Sequence, residues 1–170
     1  MSAEAKILQG LVEGLSAAGA PHPAMQSAAE GEAAAKEISD EEVSLLLSAA
    51  RVAPSADNAQ IWRFITVRDE ALRTRLGKAA GGRLEEAFAN APLVIVACAV
   101  RFVVTRTRKE QPFAMIDVPI ALLHLLLAAR ELGNPCSWTI EPDEDAVREV
   151  LGVPSEARVV AMVAVGPANR

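Results

Sequence analysis

From Leu93 to Val100 the chain reads Leu-Val-Ile-Val-Ala-Cys-Ala-Val, without one polar side chain. A strand with one face in water would alternate apolar and polar positions, and this run does not. It predicts a strand buried on both faces, which needs cover on each side. A chain of 170 residues, 51% of them apolar, has the length and composition to supply that cover in a single domain. The same composition argues against general disorder.

The rest of the chain places helices between strands. Ile7, Leu8, Leu11, Val12 and Leu15 recur at helical spacing and predict a helix over 3–18. Residues 19–36 are rich in Ala, Gly, Glu and Pro and predict a linker, so 1–37 form an N-terminal extension and 38–170 the main domain. Ser39 and Glu42 have the spacing of a capping box, and the helix they open should end near Val52, ahead of Pro54. A short strand is expected over 62–67. Asp69 should cap a helix that Gly81-Gly82 breaks. After the apolar strand, Phe113 to Gly133 predicts a long helix, apolar nearly all round and buried in the centre or at a subunit interface. Strands are expected at 136–140 and 159–165, with a helix between them that Pro142 starts and Gly152 closes. This order predicts a layered α/β or α+β domain around a central sheet.

Several function classes lose support at this point. The formal net charge is −5, which does not favour nucleic acid or an anionic membrane surface. Asp117, Pro119, His124 and Arg130 interrupt the long apolar segment at depths where ionisable groups are costly in lipid, so it does not read as a membrane span. The two cysteines, Cys98 and Cys136, are far apart and read as small buried hydrophobes, with no metal site or disulfide framework. No signal peptide opens the chain, and the expected location is the cytoplasm. There is no glycine-rich dinucleotide fingerprint and no pattern of nucleophile and base. His124, on an apolar helix, reads as a core histidine.

One stretch gathers polar side chains. APSADNAQIWRF, Ala53 to Phe64, places Pro54, Ser55, Asp57, Asn58 and Gln60 between a helix and a strand. Hydroxyl and amide groups of both polarities suit a neutral planar heterocycle better than a bare phosphate. The same residues are also ordinary turn formers, and the residues alone leave both readings open. The only basic cluster, Arg101, Arg106, Arg108 and Lys109, is either a solvated loop or a phosphate clamp.

Leu46, Leu47, Ala50, Ala53, Pro54, Ser55, Asn58, Gln60, Trp62 and Phe64 together form a pattern that resembles the signature of the nitroreductase family of FMN enzymes. The likeness continues through Asp117 with ALLHLLLAARELG, and through SWTIEPDEDAVREVLGVP with VVAMVAVG, in the same order, from about Ile38 to Gly166. The resemblance implies a three-layer α+β fold, with a central mixed sheet flanked by helices and a long buried central helix. It also implies a homodimer with FMN at the subunit interface, NAD(P)H as electron donor, and a small acceptor such as a nitroaromatic or quinone. Pro54, Ser55, Asn58 and Gln60 would border the flavin, and backbone groups at Ile140 and Glu141 would approach its reactive nitrogen. No side chain need be catalytic, because the flavin carries the chemistry.

The phosphate end departs from the family pattern. The family's Arg-Arg-Ser-x-Arg stretch corresponds here to MQSAAEG, Met25 to Gly31, in which Ser27 keeps the serine position and Glu30 adds negative charge. Ile61 replaces a proline, Asn134-Pro135 replaces a glycine-rich turn, and the sequence stops at Arg170, a candidate phosphate contact. Two alternatives stay open: a family fold without redox activity that binds another ligand or a protein partner, and a site that takes flavin without its phosphate.

Overall fold

A computed structural model describes residues 37–100 and 113–166. Its elements are α1 (Asp40–Arg51), β1 (Trp62–Val67), α2 (Glu70–Ala80), α3 (Glu85–Asn90), β2 (Leu93–Ala99), α4 (Ala114–Glu131), β3 (Cys136–Thr139), α5 (Glu144–Leu151) and β4 (Arg158–Val165). The expected helix at 3–18, the linker, Ser27, the basic stretch 101–109 and Arg170 lie outside the described residues.

Local chemistry sets most of the boundaries. The Ser39 hydroxyl accepts the Glu42 amide while the Glu42 carboxylate accepts the Ser39 amide, completing the capping box of α1. The Asp69 carboxylate accepts the Leu72 amide at the start of α2. Gly81 and Gly82 then take positive φ and break it. Gly152 closes α5 in the left-handed conformation. One boundary differs: Pro142 does not begin α5. Asp143 intervenes as its cap, because its carboxylate can accept the Ala146 amide. The short α3 is an element the sequence reading did not include.

The four strands lie in the order β1-β2-β4-β3. Every residue of β2 is buried, as its apolar run predicts. Leu93, Ile95, Ala97 and Ala99 face a layer made by α1 and α4, whereas Val94, Val96 and Cys98 face residues of α2, α3 and α5. The three-layer α+β architecture follows from that two-sided cover. The register slips between Ala97 and Cys98, which pair with Ala161 and Val159. The extra residue, Val160, joins Ala161 on the α1/α4 side, the expected effect of a bulge.

Among the described residues the sheet is not the mixed one that the resemblance implies. All three pairings are antiparallel. Strands separated by single helices suggest parallel crossovers, but β1 ends at Val67 beside Val94, next to where β2 begins. The intervening α2 and α3 leave and re-enter at one end of the sheet, so β2 runs back along β1. The segment between β3 and β4 does likewise, with Thr139 opposite Met162.

α4 is the central helix of one layer, with Ala114, Val118, Ala121, Leu122, Leu125 and Ala129 buried. Among the described residues, no helix is long and apolar enough to cross a membrane. The apolar character of α4 goes partly to the core and partly to the surface, where Met115, Ile116 and Leu123 are 42%, 49% and 47% exposed.

Candidate active site

α1 ends at Arg51, and the chain must turn sharply to enter β1 at Trp62, whose indole is buried in the core. Ala53 and Ile61 are buried at the two ends of this turn, so the polar residues between them are pushed outward. Pro54, Asn58 and Gln60 are exposed and Ser55 is half-buried.

The backbone there is unusual. Asp57, Asn58 and Gln60 have φ of 51°, 52° and 45°, and they are the non-glycine residues with positive φ among those described. Left-handed backbone is tolerable for Asp and Asn but uncommon for Gln, and such residues cost about 1–3 kcal/mol each unless the surroundings hold them.

Three sets of hydrogen bonds hold them. The Ser55 hydroxyl accepts the Gln60 amide at 3.1 Å, closing the loop on itself. Gln60 Nε2 donates to the Arg51 carbonyl at 3.1 Å, satisfying an acceptor at the end of α1. The Ala56 amide donates to both carboxylate oxygens of Asp117, at 3.2 and 3.1 Å, tying the loop to the first turn of α4. The sequence marks Asp117 as an acidic interruption of the long apolar run, but its contact spans 61 positions and could not be read from it.

Part of the polar inventory is therefore internal to the loop. Ser55 keeps its O–H for donation and Gln60 keeps its carbonyl oxygen. The Asn58 backbone amide donates to the Ser55 carbonyl, whereas its exposed side-chain amide has no hydrogen-bond partner among the described residues and offers both polarities.

Ile140 and Glu141 do not join this group within one chain. They follow β3, and β3 and β1 are opposite edges of the sheet. Three inter-strand spacings separate those edges, about 14 Å. Ile140 is 50% exposed, and the Glu141 amide already donates to the Thr139 hydroxyl at 3.1 Å. Of that pair, only Ile140 keeps a backbone amide not used by that turn.

The thiols are set apart from this chemistry. Burial pushes Cys98 up to about 11, with Arg148 opposing and Glu144 adding to the shift. Burial alone pushes Cys136 up to about 12. Neither thiol ionises near neutrality, so neither is an activated nucleophile. No cluster of metal-ligating side chains exists among the described residues.

The fold is therefore an α+β sheet covered on both faces, with an exposed polar loop at the entry to its edge strand. The chain belongs to the nitroreductase family: the model of that family matches residues 33–87 and 81–167. A putative NADH dehydrogenase/NAD(P)H nitroreductase of Archaeoglobus fulgidus is 36% identical over 137 residues, covering 77% of this chain and 75% of that protein. Among solved structures, a nitroreductase family protein from Clostridium novyi superposes with a TM-score of 0.74 at 25% identity, over 85% of this chain and 82% of the other. An FMN-dependent nitroreductase from Clostridium difficile superposes with a TM-score of 0.68 at 27% identity, over 81% and 80%.

Proposed function

We propose that the protein is an FMN-dependent oxidoreductase that takes electrons from NAD(P)H and passes them to a small acceptor, such as a nitroaromatic or a quinone, in the cytoplasm. The observation that carries this reading is the loop itself. Three left-handed residues are held in place by Ser55, Gln60 and Asp117, and the result is an outward array of one hydroxyl, one carbonyl and one free amide. An array of mixed polarity fits the edge of a flavin ring, which presents donors and acceptors alternately. The names of the relatives, NAD(P)H nitroreductase and FMN-dependent nitroreductase, point the same way.

When bound, flavin supplies the hydride or electron transfer. This chain's residues would do the rest. Asn58, Ser55 and Gln60 bind and orient the ring edge, Pro54 stiffens the approach to the loop, and Ile140 offers a backbone amide with an apolar side chain beside it. The separation of Asn58 from Ile140 across the sheet supports a homodimer, in which one copy brings its loop to the other copy's β3 edge. The exposed apolar residues Leu45 and Val52 on the α1 side and Met115, Ile116 and Leu123 on α4 support the same assembly.

A second reading, a family fold without redox activity, is favoured by one observation: MQSAAEG carries none of the arginines expected to grip a phosphate. One titration separates the readings. The purified protein is expected to be a yellow dimer, or to bind FMN when colourless, and to be bleached anaerobically by NADH or NADPH. Equal affinity for riboflavin and FMN would show that the phosphate is not recognised. A folded dimer that binds neither flavin would overturn the proposal.

A further inference from the structure

We propose that Asp117 is a positioning residue for the flavin-facing loop: its carboxylate, anchored in α4, holds the Ala56 amide and so fixes the left-handed backbone that presents Asn58. This rests on the functional reading above and adds a residue to it.

Asp117 is 3% exposed, and it and Asn134 are the buried polar residues among those described. A buried carboxylate needs hydrogen-bond partners. Asp117 lies in the first turn of α4, where an acidic residue complements the helix dipole, yet it caps nothing in its own helix. Phe113 stands at the cap position and offers no side-chain acceptor. Both Asp117 oxygens instead point across to one loop amide, at 3.2 and 3.1 Å. The residue that receives them matters. Ala56 immediately precedes Asp57 and Asn58, the two residues at φ of 51° and 52°. Holding Ala56 fixes the plane from which that turn departs.

The geometry also explains why α4 is the anchor. α4 packs against both α1 and the strands of the core, so its first turn is a rigid reference for a loop made of exposed residues. Ser55 and Gln60 close the loop only upon itself and on α1. Without Asp117, that closed loop would keep its shape less firmly and would lose its fixed orientation to the sheet edge.

The test compares Asp117→Ala and the near-isosteric Asp117→Asn with the unaltered protein, each free of flavin, by hydrogen exchange, and then by FMN and riboflavin titration. Asp117→Ala is expected to speed exchange at Ala56 to Gln60 at least roughly ten-fold, as for loss of one charged hydrogen bond. Protection in β2, β4 and the second half of α4 should stay unchanged, and flavin affinity should fall by a similar factor. Asp117→Asn, which keeps one carbonyl acceptor, should recover a large part of both. Unchanged loop exchange in Asp117→Ala would overturn the proposal. So would a uniform rise across loop and sheet in both variants, which marks a purely structural role. Loop-confined exchange with unaltered flavin affinity would overturn the positioning claim. If the unaltered protein binds no flavin, the functional reading fails, and the exchange data still decide whether Asp117 holds the loop.

Discussion

The Asn134 side-chain amide donates to Glu42 Oε1 at 3.2 Å, joining the start of α1 to the turn after α4, 92 positions later. Asp117 makes the opposite tie, from the start of α4 to the loop after α1. The two buried polar residues among those described therefore latch the same helix pair at its two ends. Glu42 also serves the capping box through its other oxygen. Asn134→Ala should lower unfolding stability by about 1.5–3 kcal/mol, the contribution of a hydrogen bond to a charged group. Urea denaturation would measure it, with the slope unchanged.

Asn58 separates binding from folding. At φ of 52° a glycine relieves strain, while its unfolded chain is more flexible. Asn58→Gly should therefore change stability by less than about 1 kcal/mol. Flavin affinity should fall by about ten-fold or more, equivalent to about 1.4 kcal/mol. Thermal melts and flavin titration on one preparation give both numbers. Unchanged affinity would remove Asn58 from the site.

Arg148 organises the turn between α5 and β4. Its guanidinium donates to the carbonyls of Val153, Pro154 and Ala157 and to Glu144. A lysine cannot reproduce that fork. Arg148→Lys should destabilise by about 1–3 kcal/mol, and Arg148→Ala by more. Chemical denaturation checks both, and flavin affinity should change little because this turn is built from the opposite layer.

The cysteines predict a pH dependence at the alkaline end. A thiol in the unfolded chain ionises at an ordinary value of 9.0, whereas folded Cys98 and Cys136 ionise at about 11 and about 12. Between those values the folded state holds protons that the unfolded state has shed. Their contribution to stability is therefore complete below pH 9 and is lost as pH rises toward 11 and 12. The chain has no tyrosine to obscure the effect. Urea midpoints at pH 8 and pH 10 should differ less in Cys98→Ala with Cys136→Ala than in the unaltered protein.

The sequence by itself determined what depends on neighbours. Ser39 with Glu42, Asp69 and Gly152 fixed helix ends because each cap acts within a few residues. The unbroken apolar run of β2 required cover on both faces because burial follows composition. The loop residues Ser55, Asn58 and Gln60 were visible as a group for the same reason. Tertiary structure decided what depends on direction and distance along the chain. Among the described residues the sheet is antiparallel rather than mixed, and β2 runs back along β1 because α2 and α3 together return the chain to the end it left, a path that periodicity does not encode. Ile140 stands apart from the loop because β3 and β1 take opposite edges of the sheet. Above all, Asp117 reads in sequence as a polar interruption of an apolar helix. Only the packing of α4 beside α1 brings its carboxylate to Ala56, where a hydrogen bond of definite geometry turns a set of turn-forming residues into a held surface.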